Sequence, residues 1–401
     1  MNGRHLLTVN AGSSSLKVAL YRAGEEETRL VAAQAERIGS PGSRLRLEDY
    51  RGDTLEERPA ALPDHPAALR ALLDQLRIHG WDSDLAAVGH RVVHGGGRYG
   101  EPRLIDAELT ENLRGLAKVD PEHMPQVLAT MEATARTYPA VPQVACFDTA
   151  FHRRMPRVAR LYALPRRFAE AGVLRYGFHG LSCEYVMEHL RLADPAGADG
   201  RVVIAHLGNG ASLTAVRGGV GVDTTMGFTP AGGLVMGTRS GDLDPGVLVH
   251  FLRSEESGPG VLDDLVNREA GLLGVSGTSA DMRDLVAREQ DDPRAGEAVD
   301  LFCYQAKKFL GALAAVLDGL DTLVFTGGIG EHAAPVRRRI CENLAYLGIQ
   351  LDHDRNAAHA PVISREDGAA TVRVVRTDEN LMIARHTHRA ATQEGAENVP
   401  F

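Results

Sequence analysis

Residues 5–9 (HLLTV) form an apolar, β-favouring run, residues 11–14 break it, and residues 16–21 (LKVALY) resume it, which predicts a strand, a tight turn and a second strand. The same layout returns at 201–205, 208–211 and 213–216, and setting Asn10 against His206 brings Gly12 onto Gly208. Two such hairpins, each near the start of a plausible half, predict a duplicated chain. Apolar residues recur at helical spacing over 66–79, 106–118, 122–138, 182–192 and 294–317. Residues 323–331 (LVFTGGIGE) run an apolar strand into a glycine loop with a helical pattern beyond it. Residues 372–375 read as a further strand, followed by a helical pattern through 383–386. Strands alternating with helices make the class α/β. Stretches 39–63, 194–200 and 254–260 read as connectors or surface loops, and the chain from Ala390 onward as a polar, mobile tail.

Length and composition narrow the classes. At 401 residues the chain exceeds one ordinary core, so two domains with a cleft between them are expected. Hydrophobic residues at 44% and charged residues at 24% fit a packed globular protein. A net charge of -9 argues against a general nucleic-acid surface, so any phosphate site must be local. No run approaches the ~18 apolar residues of a membrane span, and the N-terminal residues lack a secretory pattern, so no membrane partner and a cytoplasmic location are expected. Cys146, Cys183, Cys303 and Cys341 lie far apart without a CxxC pair, which suggests buried thiols.

The turns carry the first candidate chemistry. Asn10, Ser13, Ser15 and Lys17 bring an amide, hydroxyls and an ammonium to one tight turn, where small residues let a polyanion approach exposed backbone N–H groups. A polar hairpin tip would favour the same residues. The second turn, His206-Leu-Gly208-Asn209-Gly210-Ala-Ser212, repeats the pattern, and Gly327, Gly328, Gly330 and Glu331 form a third. Neither GxGxxG nor GxxxxGK[ST] occurs among them, so a dinucleotide fold and a Walker-type ATPase are unsupported. Three such turns suit a nucleotide gripped from both lobes.

Arg91, between β-branched residues and a glycine run in His90-Arg-Val-Val-His94-Gly-Gly-Gly, should project where its strand stops. His90 and His94 have the spacing of a helical metal pair, but the valines favour a strand. Asp148, set among apolar residues, is either a capping carboxylate or a functional one. His179, between Phe178 and a glycine, is functional or structural, and Ser182 can cap the following helix. Residues 223–244 are too polar and glycine-rich for a core element and read as a long active-site loop presenting Arg239. Glu379, at a strand-to-helix junction, either favours the helix dipole or holds a metal ion.

Together these motifs resemble the acetate and butyrate kinase family of the actin-like phosphotransferase superfamily. The resemblance runs in order through VNAGSSSLK, HRVVHGG, FDTAFH, YGFHGLS, HLGNGAS, DTTMGFTPAGGLVMGTRSGDLDP, GVSGTSADMRDL, FTGGIGE and RTDENLMIARHT, nearly the whole chain. It implies two related actin-like, ribonuclease H-like lobes with a nucleotide cleft between them, residues 1–150 joined by a C-terminal helix at 385–401, and residues 151–384. It implies ATP or ADP as co-substrate with Mg²⁺ (or Mn²⁺), a short carboxylate acceptor, and a homodimer. Asn10, Ser13, Ser15, Lys17 and the turn from His206 through Gly208, Asn209 and Gly210 would meet the phosphates. Asp281, Arg283 and the segment Gly327, Gly328, Gly330, Glu331 would hold the adenosine end. Arg91 and Arg239 match arginines that bind the acceptor and the moving phosphoryl group, His179 a transition-state histidine, and His123 a further catalytic position. Asn10, Glu379 and Asp148 match residues linked to the metal and to positioning, and Val93, Phe178 and Pro230 match walls of the acyl pocket.

The chemistry suits that set. A carboxylate acceptor is ionised at neutral pH and needs no general base, only cations that offset repulsion between two anions. A guanidinium fork meets carboxylate and phosphoryl oxygens together, which favours direct in-line transfer over a phosphorylated Glu379 or Asp148. One departure bears on specificity: Glu122 stands where the family usually has an apolar pocket wall and Met124 where it has asparagine, leaving propionate or another short acid open. The rivals are a sugar kinase of the same superfamily, with Asp148 as base, and a non-enzymatic nucleotide-dependent scaffold.

Overall fold

A computed structural model describes residues 3–253 and 258–397. The chain forms two compact units, Met1–Ala150 with Asp378–Phe401, and Phe151–Thr377. Residues 378–384 therefore cluster with the first unit.

The first unit holds strands β1 (His5–Ala11), β2 (Ser15–Arg22), β3 (Thr28–Glu36), β4 (Arg44–Asp49), β5 (Thr54–Pro59), β6 (Leu85–Val92), β7 (Arg103–Leu104) and β8 (Gln143–Phe147). They form one sheet in the order β5-β4-β3-β2-β1-β6-β8-β7. β1 pairs antiparallel with β2 and parallel with β6, which is parallel to β8. The central strands are apolar almost throughout because both faces of the sheet are covered. Residues 39–63 were expected to be a connector, yet they contain β4 and β5. RLRLED alternates arginine with the buried Leu45 and Leu47, and that period of two outweighs the glycine- and proline-rich flanks.

Helices His65–Ile78, Ala107–Leu116 and Met124–Thr137 fall where the spacing places them. Asp64 and Asp106 start the first two by accepting the N–H of Ala67 and Leu109. The last helix, Glu379–Glu397, covers β1, β6 and β8. It continues through residues expected to be a mobile tail, since the alanines, glutamine and glutamates there are strong helix formers. Residues 398–401 lie outside the described residues. A Cβ on Gly89 would stand 2.0 Å from Thr387 Oγ1 and 2.6 Å from Ile383 Cγ2, so strand and helix touch through glycine.

The second unit has strands β9 (Arg201–Leu207), β10 (Ala211–Arg217), β11 (Val220–Thr224), β12 (Thr322–Thr326) and β13 (Thr371–Val374), ordered β11-β10-β9-β12-β13. β9 is antiparallel to β10, β10 to β11, and β9, β12 and β13 are parallel. That repeats the pairing sequence β3-β2-β1-β6-β8, so the hairpin similarity extends to a duplicated sheet. Gly12 N–H donates to Ser15 O at 2.8 Å, and Gly208 N–H closes the shorter second turn on Gly210 O at 3.0 Å.

Four readings change here. The stretch 194–200 contains a short helix, Pro195–Asp199, whose cap is Asp194. Helix Gly180–Ala193 starts before Ser182, which lies inside it instead of capping it. The glycines after β12 belong to a short helix, Gly327–His332, and not to a loop. Of the connector at 254–260, residues 254–257 lie outside the described residues, and Pro259–Asp264 is helical. The four cysteines are buried free thiols. No helix among the described residues is long and apolar enough to cross a membrane.

Gly89→Ala should destabilise the protein by about 1–3 kcal/mol through overpacking. Gly115→Ala, in a helix where an added Cβ meets nothing within 4 Å, should stabilise it by about 0.5–1 kcal/mol. Denaturant midpoints of the two variants check both signs.

Candidate active site

In the first unit β1, β6 and β8 run parallel and end at one edge. Val9 pairs with His90 and Arg91 with Cys146, so Asn10 and Arg91 reach that edge at the same level, with Asp148 directly after β8. Arg91 donates through Nε and Nη2 to Asp148 Oδ2, at 3.0 and 2.5 Å, and through Nη1 to Asn10 Oδ1 at 3.3 Å. Asn10 Nδ2 in turn donates to Glu379 Oε2 at 2.9 Å. Asp148 is fully buried and the Arg91 side chain only 14% exposed. Burial alone would lower the Arg91 pKa, but the carboxylates of Asp148 and Glu379 outweigh it and raise the pKa above its ordinary value. The guanidinium is therefore fixed in both charge and direction.

Lys17 lies directly across β1–β2 from Asn10, which puts both side chains on one face. Ser13 and Lys17 are exposed at the turn and Ser15 is half-buried. His65, which the sequence did not single out, holds this turn by a 2.8 Å hydrogen bond between Nε2 and Gly12 O. His123 precedes helix Met124–Thr137, and its Nδ1 lies 2.9 Å from the buried Asp120 Oδ1. Asp120 also adds to the field at Arg91. Val93 and Met124 are buried, and Glu122 is half-buried. His90 and His94 face separate partners, Gln143 Oε1 and the Gly96 N–H, instead of forming a metal pair.

In the second unit the corresponding edge lies at the ends of β9, β12 and β13. His206 pairs with Ser212 across the hairpin and with Thr326 on β12. His179 has a φ of 57°, unusual outside glycine, and its ring stacks on His206 with centroids 4.0 Å apart. Ser212 Oγ lies 3.0 Å from His179 Nδ1, and Ser182 Oγ lies 2.8 Å from His206 Nδ1. A Cβ on Gly210 would sit 3.3 Å from His179 Nε2 and 3.6 Å from Arg239 Nη1, so the glycine turn, the histidine and the arginine converge. Arg239 also donates to Pro230 O at 3.3 Å.

Residues 225–244 form the long irregular segment expected, but Met226, Leu234, Val235 and Met236 are buried, so it is packed as well as presenting Arg239. Gly237 N–H ties it to Asn209 O at 3.1 Å. Phe178 is buried, and its carbonyl lies 2.9 Å from His152 Nε2. The backbone N of Gly328 lies 4.0 Å from the Cβ position of Gly208, so the third glycine segment adjoins the second turn. Glu331 Oε1 accepts the N–H groups of Gly327, at 3.0 Å, and Thr377, at 3.3 Å, which gives this carboxylate a structural duty. The buried Arg337 holds the carbonyls of Gly330 and Glu331. Asp281 caps helix Met282–Arg288 and pairs with Arg283, whose guanidinium lowers its pKa.

The profile of the Acetokinase family matches residues 5–385. The chain belongs to that family. It is 48% identical over 394 residues to an acetate kinase of Rhodopseudomonas palustris, covering 96% of this chain and 98% of that protein. An acetate kinase of Halothermothrix orenii is 41% identical, with 96% and 98% covered. The crystal structure of Porphyromonas gingivalis acetate kinase superposes with a TM-score of 0.84 at 36% identity, covering 96% of this chain and 99% of that one. A propionate kinase from Francisella tularensis gives 0.89 at 34% identity, with 97% and 100% covered. The duplicated α/β units are thus the related actin-like lobes of this family's fold.

Burial pushes the imidazoles of His90 and His152 down to about 4 from 6.5, so both are neutral in the folded protein at pH 6. The unfolded chain protonates first, so their contribution is complete above pH 6.5 and is lost as the pH falls towards 4. An upper bound is on the order of 3 kcal/mol for each. Denaturant midpoints between pH 7 and 4 should fall accordingly, and more gently in His90→Gln.

Proposed function

We propose that the protein reversibly transfers the γ-phosphoryl group of ATP to acetate, or a similarly short carboxylate, giving an acyl phosphate and ADP. The observation that carries this reading is the charge-locked Arg91 at a strand edge, beside Asn10 and Glu379. A guanidinium that stays charged and directed is suited to an anionic acceptor. Asp148 is poorly placed to serve as the base of a sugar kinase, because its Oδ2 already accepts two hydrogen bonds from Arg91.

In the forward direction an acceptor carboxylate oxygen attacks the γ-phosphorus in line, the bond to the β,γ-bridging oxygen breaks, and ADP leaves with the electron pair. Arg91 binds the acceptor and Arg239 the moving phosphoryl group, while His179 donates to its equatorial oxygens. Val93, Phe178 and Pro230 wall the acyl group. Asn10, Ser13, Ser15, Lys17 and the turn His206, Gly208, Asn209, Gly210 hold the phosphates. Asp281, Arg283 and the Gly327–His332 helix serve the nucleoside.

The hard oxygens of Asn10, Glu379 and Asp148, among described residues that include no cluster of three metal-ligating side chains, fit Mg²⁺, an ion that keeps most of its waters. Bound with the nucleotide, it would neutralise phosphate charge, held by Asn10 and Glu379 with Asp148 in support. Four buried free thiols support a cytoplasmic setting. Helix Pro245–Leu252 leaves Val247, Val249, Phe251 and Leu252 exposed around more than one side, and we assign this apolar helix to a homodimer interface.

Hydroxamate trapping should detect an acyl phosphate with acetate, and kcat/KM should drop by about tenfold for each added methylene in propionate and butyrate. No product with any acid would end this reading. Arg91→Ala and Arg239→Ala should each lower kcat/KM by about 100-fold or more, and turnover that survived either change would refute the mechanism. Phe251→Glu should convert a dimer to a monomer in sedimentation experiments.

A further inference from the structure

His179 and His206 face the same problem in two copies. An imidazole that donates a hydrogen bond to a phosphoryl oxygen must carry its proton on the nitrogen that faces the anion, and a neutral ring has two tautomers to choose between. In both residues Nδ1 is met by a serine hydroxyl, Ser212 for His179 at 3.0 Å and Ser182 for His206 at 2.8 Å. Both serines are essentially fully buried. Nε2 of His179 faces the glycine turn, 3.3 Å from the Cβ position of Gly210, and Nε2 of His206 lies 3.9 Å from that of Gly208. The rings stack with their planes within 19° of parallel. Two imidazolium charges at that separation would repel, so the stack suits neutral rings. The left-handed backbone of His179 is a strained conformation that needs such neighbours to persist.

We propose that Ser182 and Ser212 are positioning residues whose hydroxyls donate to Nδ1 of His206 and His179, holding both rings as the Nε2–H tautomer aimed at the glycine turn. Ser212 lies across the hairpin from His206 and Ser182 comes from the helix after His179, so each element carrying one histidine supplies the serine that orients the other. The pair therefore locks as a unit. This inference rests on the proposed phosphoryl transfer for its purpose, but the tautomer itself does not depend on it.

The test is ¹⁵N NMR of histidine ring nitrogens in the full-length, nucleotide-free protein, with the two rings identified by signal loss in His179→Asn and His206→Asn. Both should show a protonated Nε2 and an accepting Nδ1. A proton on Nδ1 of either ring in the wild type would overturn the proposal, whatever the variants do. Ser212→Ala should lower kcat by about tenfold or more, with the nucleotide KM within about twofold, and Ser212→Thr should restore most of the rate. Unchanged kcat in a folded Ser212→Ala protein would also overturn it. If the wild type made no acyl phosphate, the functional reading would fall while the ring spectra still decided the clamp.

Discussion

The ion pair of Arg91 and Asp148 sets the terms for the first half of the molecule. A fully buried carboxylate is tolerable only with a partner, and a mostly buried guanidinium likewise, so each makes the other's place in the core possible. Their union fixes the ends of β6 and β8 in register and passes order through Asn10 to Glu379 on the last helix. The same pair that stabilises the edge of the sheet thus holds one cation at that edge, largely buried.

The second unit reaches an equivalent edge by other means. Where the first has a carboxylate holding an arginine, the second has serines holding stacked histidines and a glycine turn short enough for Arg239 to approach. Duplication supplied the framework of five strands and the hairpin, while the side chains at its edge diverged. The first turn carries hydroxyls and Lys17, and the second is mostly glycine backbone.

Much of this was legible in the residues. Hairpins, helices and the order of motifs follow from periodicity and glycine placement, and Arg91 at a strand end from the valines beside it. What escaped was set by tertiary pairing. β4 and β5 were hidden in a stretch whose proline and glycine content reads as loop, although RLRLED alternates. Ser182 looks like a helix cap until the left-handed His179 starts the helix two residues earlier. His65 gave no local signal, because its partner is a distant carbonyl, whereas Asp120 meets His123 only three residues on, a spacing that could have been read. Glu331 reads as a ligand-facing acid, and the residues gave no sign that its Oε1 also accepts the backbone N–H groups of Gly327 and Thr377.

The first unit is discontinuous in the chain, because the helix that covers β1, β6 and β8 is made after the whole of the second unit. During synthesis, residues 151–377 can complete their own core while the first 150 residues still wait for the helix that Gly89 admits and for Glu379 at its start. On the ribosome the early half would therefore wait with β1, β6 and β8 uncovered on the face that the last helix takes. A chain broken off before residue 379 would lose the closure of its oldest segment and leave the youngest one intact.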